Sequence, residues 1–316
     1  MINKLTKAPQ SFFDSATLTA LFALISGISI IAFMPILTRF SESEISPTAT
    51  MFHRVWIATL CLGVWQGIEK LQSNQPAEKI DLKAIYSGKI WGLLLATGFF
   101  FAIQQIIWAW SITQTSIANS ALLHNFTPFF TTLGAWIIFA KNFDRRFYFG
   151  LIIAITGASM VGIDDFYYGF DKIRGDILAF LSAFFYAGYL LLAEQVRKQL
   201  HTTTALFYLC GIASILLLPI LPWREGNIFP TSGSGWLIAV GLAMTIVVGH
   251  GLAIYSLNRL SSSLVSVTML LNPVLNGVLG WIVFSESLDF YNLVAFPIIL
   301  LGIYLATTSK SAIKKE

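Results

Sequence analysis

The chain has 316 residues, 56% of them hydrophobic and only 11% charged, with a formal charge of +4. A soluble domain carries about a quarter charged residues, so the composition excludes an ordinary water-soluble globule and marks a polytopic membrane protein. The small basic excess is informative by position, as a signal of orientation and of contact with anionic lipid, and does not describe a nucleic-acid surface.

A polar leader, residues 1–16, precedes the first apolar run, which starts at Thr17 without a small-residue cleavage signature and reads as a retained helix, not a signal peptide. A hydrocarbon core about 30 Å thick needs about 20 apolar residues per helix. Runs of that kind are expected at 17–37, 47–68, 89–110, 118–140, 146–163, 174–194, 203–222, 235–257, 262–284 and 290–308, followed by a basic tail, 309–316. With the N-terminus inside, most Lys and Arg fall on inner loops and tails, and the outer loops hold Arg39, Lys172, Arg174 and Arg224. That bias, with an even number of spans, places both termini in the cytoplasm.

Polar residues deep in a span are costly unless they face other helices or a wet cavity, so they locate the interior. The first span offers Ser26 and Ser29. The second opens with His53 and Arg54; Arg54 reads either as snorkelling to headgroups or as attracting an anion at a cavity mouth. The third carries Gln104 and Gln105, with Trp108 as an aromatic wall. In the fourth, His124, Thr127 and Thr131 share one face beside Pro128. The sixth brings Tyr186 and Tyr189, the eighth His250, and the ninth Thr268, Asn272 and Asn276 beside Pro273. Each alone has a plainer reading as hydrogen-bonded glue between helices. The prolines act as kinks or as hinges. Glu194 and Glu286 end helices and read as solvated. Cys61 and Cys210 lie inside spans as buried thiols, with no metal or disulfide spacing.

The punctuation of the two halves is in register. At an offset of 145 residues Pro128 falls on Pro273, Trp136 on Trp281, Phe139 on Phe284, Asp144 on Asp289 and Gly157 on Gly302. The same offset carries Thr127 to Asn272, Thr131 to Asn276 and Gln105 to His250; an offset of 160 carries Ser29 to Tyr189. Each half is then five helices, 17–163 and 174–308. Because five is odd, the second copy enters from the opposite side, which makes an inverted repeat and points to alternating access.

The stretch Ser262 to Thr307, with Pro273 mid-helix, Glu286 closing that helix and Gly302 in the next, resembles the EamA module of the drug/metabolite transporter superfamily. Arg54-Val55-Trp56-Ile57-Ala58 is similar to the start of the family's second helix. One departure is Lys141, which stands where the fourth helix of the family typically ends in an acidic residue. The resemblance implies an all-α fold of ten transmembrane helices in a 5+5 inverted repeat, in a bacterial inner membrane, exporting amino acids or related metabolites.

The residues themselves set further bounds. There is no Gly-x-x-x-x-Gly-Lys-Ser/Thr phosphate loop, which excludes ATP-driven pumping by this chain alone, and no cofactor is implied. Protons are a candidate coupling ion through His124 or His250. The expected function is a secondary transporter of a small polar or amphiphilic metabolite. A passive facilitator or channel-like permease is the alternative, and an intramembrane enzyme is disfavoured because the two histidines come from different halves with no carboxylate at depth.

Overall fold

The computed structural model describes residues 15–72, 88–115, 117–161, 172–223, 227–285 and 290–309. The leader up to Asp14, the tail beyond Ser309 and Glu286 lie outside them. The regular structure is helical, as hydrocarbon demands, since a helix satisfies its own backbone N–H and C=O groups.

Ten rods follow one another. The first is α1 (Ser15–Ile31) with α2 (Met34–Ser41), the second α3 (Pro47–Gln72), and the third α4 (Gly88–Ile112). The fourth is α5 (Ile117–His124) with α6 (Thr127–Phe139), and the fifth α7 (Arg145–Met160). The sixth is α8 (Ile173–Arg197) and the seventh α9 (Thr202–Leu217), extended by a 3-10 segment, Leu218–Trp223. In the eighth, a π turn (Thr245–His250) joins α10 (Gly233–Met244) to α11 (Gly251–Ser256). The ninth is α12 (Ser262–Thr268) with α13 (Leu271–Phe284), and the tenth α14 (Phe290–Thr307).

Each expected span coincides with a rod, and among the described residues eight rods are long and apolar enough to cross a membrane. The other two differ for physical reasons. The α7 helix has 16 residues, short of a full crossing; α3 is long enough but carries His53, Arg54, Gln66, Glu69 and Lys70 along its length.

Three rods are broken where proline removes a backbone donor. Pro35 opens α2 and Pro128 opens α6, while Pro273 sits in the first turn of α13. The fourth and ninth rods match even in their endings. Ala140 and Ser285, 145 residues apart, are the two non-glycine residues of positive φ among those described, at 50° and 55°. Their N–H groups close on Ala135 and Gly280 O, again 145 residues apart.

Packing repeats the same relation. α4 lies along α8 as α1 lies along the π turn and α11, and α4 packs on α9 as α10 packs on α3. The fifth and tenth rods meet each other across small residues. A Cβ on Gly157 would stand 2.9 Å from the Ile299 backbone N, and one on Gly150 2.7 Å from Gly302 O, so α7 and α14 touch backbone to backbone.

The symmetry fails where the broken rods meet, and that failure shapes the interior. α12 lies against α6, with Thr131 and Ser266 hydroxyls 2.6 Å apart, and all of α12 is buried. Their counterparts, α5 and α13, meet at most at isolated points. Ala121 is exposed where its mate Ser266 is buried, and Asn272 to Leu279 are all half-buried. The broken rods are therefore closed at the end bearing Ser262 and splayed at the other.

Candidate functional site

Arg54 occupies the middle of the bundle. It lies seven residues into α3, about 10 Å below the helix start at 1.5 Å per residue, and is 1% exposed. It does not snorkel. Its Nε donates to Thr245 Oγ1 at 3.3 Å, and Nη2 is buried with no hydrogen-bond partner. The Thr245 hydroxyl in turn donates to Leu242 O at 2.6 Å, leaving its lone pairs for the arginine. Tyr186 and Tyr189 of α8, Cys210 of α9 and His250 of the π turn lie within electrostatic reach of the guanidinium.

An aromatic wall backs this centre. Tyr186 and Tyr189 are stacked with ring centroids 5.6 Å apart, His124 sits 5.4 Å from the Tyr186 ring, and Phe101 packs 4.9 Å from Tyr189 and 5.9 Å from His250. The Tyr186 hydroxyl donates to Met269 Sδ at 3.1 Å, tying α8 to the ninth rod at its break. His124 Nδ1 is 2.9 Å from Ser182 Oγ, and His250 Nδ1 is 3.4 Å from Thr245 O.

The remaining expected site residues divide by what already occupies them. Gln104 Oε1, Gln105 Nε2, Asn272 Oδ1 and Asn276 Oδ1 are buried without partners, which is the condition of groups kept for a ligand or for water. Thr127 instead donates to His124 O at 2.8 Å, and Ser29 to Ile25 O at 3.0 Å, each within its own rod. Thr131 donates to Thr127 O and faces Ser266, so it stands in the closed contact rather than in the open part of the interior. Trp108 is half-buried on α4, one turn beyond Gln104. Pro128 and Pro273 sit at the two breaks. His53, beside Arg54 in sequence, faces away: Trp56 Nε1 donates to its Nδ1, Nε2 contacts Ile228 O at 2.8 Å, and Phe229 and Trp236 enclose the ring.

One cluster was not anticipated. Glu194, read from sequence as a solvated helix end, is fully buried. Its Oε1 accepts from Lys141 Nζ at 2.6 Å and its Oε2 from the Ser262 N–H at 2.9 Å, so one carboxylate fastens the ends of the fourth, sixth and ninth rods. The available signal was Lys141 itself, a cation where the resemblance expects an acid. At the opposite end the Thr115 hydroxyl (2.6 Å) and the Asn119 amide (3.4 Å) donate to Asp176 Oδ1, so the fourth and sixth rods are pinned to each other at both ends.

The comparisons with known proteins agree with this architecture. The chain matches the EamA-like transporter family over residues 17–163 and 173–308. The pseudopaline exporter CntI of Pseudomonas aeruginosa is 24% identical over 219 residues, 69% of this chain and 76% of that protein. The uncharacterized transporter YxxF of Bacillus subtilis is 25% identical over 271 residues, 84% of this chain and 83% of its own length. A crystal structure 15% identical in sequence superposes with a TM-score of 0.76, covering 93% of this chain and 97% of the other, which establishes likeness of fold. A transporter chemistry, not an enzymatic one, follows from two matched segments that between them take in nearly all ten rods: the chain belongs to the EamA-like transporter family.

Proposed function

We propose that the protein is a secondary transporter that exports a small polar or amphiphilic metabolite by alternating access. Its ten rods would act as ten membrane spans in an inverted repeat, with halves 17–163 and 174–308, both termini cytoplasmic and a bacterial inner membrane as host. The observation that carries the reading is the one-sided closure of the proline-broken rods: α6 against α12 at one end, with α5 and α13 splayed at the other. Exchanging the roles of the halves closes the second end and opens the first, which is what alternating access requires. In the orientation set by the basic loops, the closed end with Lys141, Glu194 and Ser262 is cytoplasmic, and the state described is open outward. The relative named for exporting pseudopaline supports export of a metabolite. The unpartnered buried atoms of Asn272, Asn276, Gln104 and Gln105, together with the aromatic wall of Tyr186, Tyr189 and Phe101, suit a cargo with both polar and apolar parts.

Counterflow in proteoliposomes tests this. Vesicles preloaded with an unlabelled amino acid, nucleobase or sugar should take up the same labelled compound saturably, with no ion gradient imposed. Linear, unsaturable uptake would identify a facilitator or channel instead. A pH step across the same vesicles should drive net flux if protons are the coupling ion, and this drive should vanish in His124→Ala or His250→Ala.

A further inference from the structure

Arg54 is the only fully buried cation among the described residues, and it has no anion. The one ion pair among those residues is Lys141–Glu194, at the closed end. A guanidinium presents five donors; here Nε makes a long bond to a hydroxyl and Nη2 makes none. Taking such a charge out of water without a counter-charge costs several kcal/mol. Lipid headgroups cannot supply the counter-charge, because α8, α9 and the eighth rod surround the group.

A second, independent feature marks the same place. The eighth rod departs from α geometry over Thr245–His250, and both ends of that π turn face Arg54: Thr245 by its hydroxyl and His250 electrostatically. Single π turns are rare and occur frequently at functional sites. One turn along α4 from Phe101, which packs on Tyr189 and His250, Gln104 and Gln105 add the orphaned atoms Oε1 and Nε2.

We infer that Arg54 anchors a carboxylate of the cargo, so that the transported compounds are small carboxylates whose other end carries N–H or O–H donors. The inference rests on the carrier reading above and gives its substrate class. The guanidinium fork matches the two oxygens of a carboxylate, and one positive charge balances one negative charge. A phosphate monoester would leave net negative charge on a centre with a single guanidinium. Gln105 Nε2 adds a donor for the acid. Gln104 Oε1, Asn272 Oδ1 and Asn276 Oδ1 are acceptors, fitted to an ammonium or hydroxyl elsewhere on the cargo.

The test is thermal unfolding of the purified full chain in detergent, with a panel of α-amino acids, the amides of the same amino acids, N-acetyl amino acids and inorganic phosphate. A carboxylate should raise the wild-type Tm in a concentration-dependent way, and its amide should need at least 100-fold more to match it. Arg54→Lys should weaken the response and Arg54→Met abolish it. Arg54→Met should also unfold no earlier than the wild type without ligand, because it removes an unpaired buried charge. No response to any carboxylate, an equal response to the amides, a response to phosphate alone, or a carboxylate response that survives Arg54→Met would overturn the inference. So would an Arg54→Met chain that fails to fold while Arg54→Lys folds and binds carboxylates as the wild type does, since that pattern assigns Arg54 a structural role. Counterflow separates this inference from the carrier reading. Carboxylate binding with no counterflow leaves the site standing and removes the carrier; counterflow of a compound without a carboxyl group, indifferent to Arg54→Met, does the reverse.

Discussion

Removing Lys141 should open the closed end of the bundle. Its ammonium is 2.6 Å from a Glu194 carboxylate that is fully buried, while the lysine side chain itself is 27% exposed. Breaking a fully buried pair costs about 3–5 kcal/mol and breaking an exposed one about 0–1 kcal/mol. This pair lies between the two, and Glu194 keeps its bond from the Ser262 N–H after Lys141→Ala, so about 2 kcal/mol is lost. The loss falls on the state in which the fourth, sixth and ninth rods converge. At 1.4 kcal/mol per factor of ten, the balance between closed and open at that end moves by about 30-fold. The assay is thiol labelling in vesicles, in a background with Cys61 and Cys210 replaced by alanine. A cysteine at Ser263, buried in the closed contact, should react up to about 30-fold faster from the cytoplasmic face after Lys141→Ala. A cysteine at Ala121, exposed in the splayed half, should react more slowly from outside. If the Ser263 rate is unchanged while Tm falls by the equivalent of about 2 kcal/mol, the ion pair stabilises the fold as a whole and the gating argument fails.

Other expectations follow from single contacts. His124→Ala and Asn272→Ala should abolish counterflow while leaving membrane insertion and detergent Tm near wild type; normal transport by both would remove them from the site. Gly157→Leu should destabilise the chain by about 1–3 kcal/mol, because a side chain there meets the Ile298 and Ile299 side chains and the backbone of α14, with no room to shift; urea unfolding of the detergent-solubilised protein measures it. Ala140→Gly should stabilise by about 1 kcal/mol, since a left-handed residue with a Cβ costs about that much, and the same assay decides the sign. Glu44, in the loop between α2 and α3, is held below the usual carboxylate range by the Ser232 hydroxyl, against some desolvation and with help from the Ser232 and Thr231 N–H groups. A depressed folded pKa contributes stability above the unfolded value, about 4.3, and loses it as pH falls through the folded one. The Tm gap between wild type and Glu44→Gln should therefore hold from pH 7 to about pH 5 and close only below about pH 4.

What sequence made legible was what depends on one rod at a time. Apolar length placed the rods within a few residues, and Pro128 and Pro273 marked breaks because a missing N–H acts locally. The in-register prolines and glycines are accompanied by matched left-handed endings at Ala140 and Ser285, which their side chains do not announce. What stayed hidden depends on several rods meeting. Arg54 snorkels or is enclosed according to how α3 meets α8, α9 and the eighth rod, and hydropathy is blind to that choice. Glu194 and Lys141 are 53 residues apart, and each alone looks like a solvated helix end. The π turn is one extra residue per turn in an apolar run, and no proline or other local signal marks Thr245–His250.

The hidden features share a property that bears on mechanism: they break the repeat. At the offset of 155 residues that pairs Phe52 with Phe207 and Ala58 with Ala213, Arg54 corresponds to Leu209, which is buried and apolar, so the duplicated scaffold presents one charge and not two. Among the described residues the closing contact is likewise confined to one end, because Ser266 on Thr131 has no equivalent between α5 and α13. A perfectly symmetric carrier would hold its two states at equal energy and bind its cargo identically from either side. On the proposed alternating-access reading the fold would supply the two states, while a few substitutions without a repeat mate would set their balance and the orientation of the cargo within them. The latch worth about 2 kcal/mol would keep an unloaded carrier open outward. Returning inward would then require that energy from some other source, either an ion or the binding of a second cargo molecule. On this argument exchange should be faster than net flux in the wild type, and Lys141→Ala should narrow the difference by accelerating the empty return.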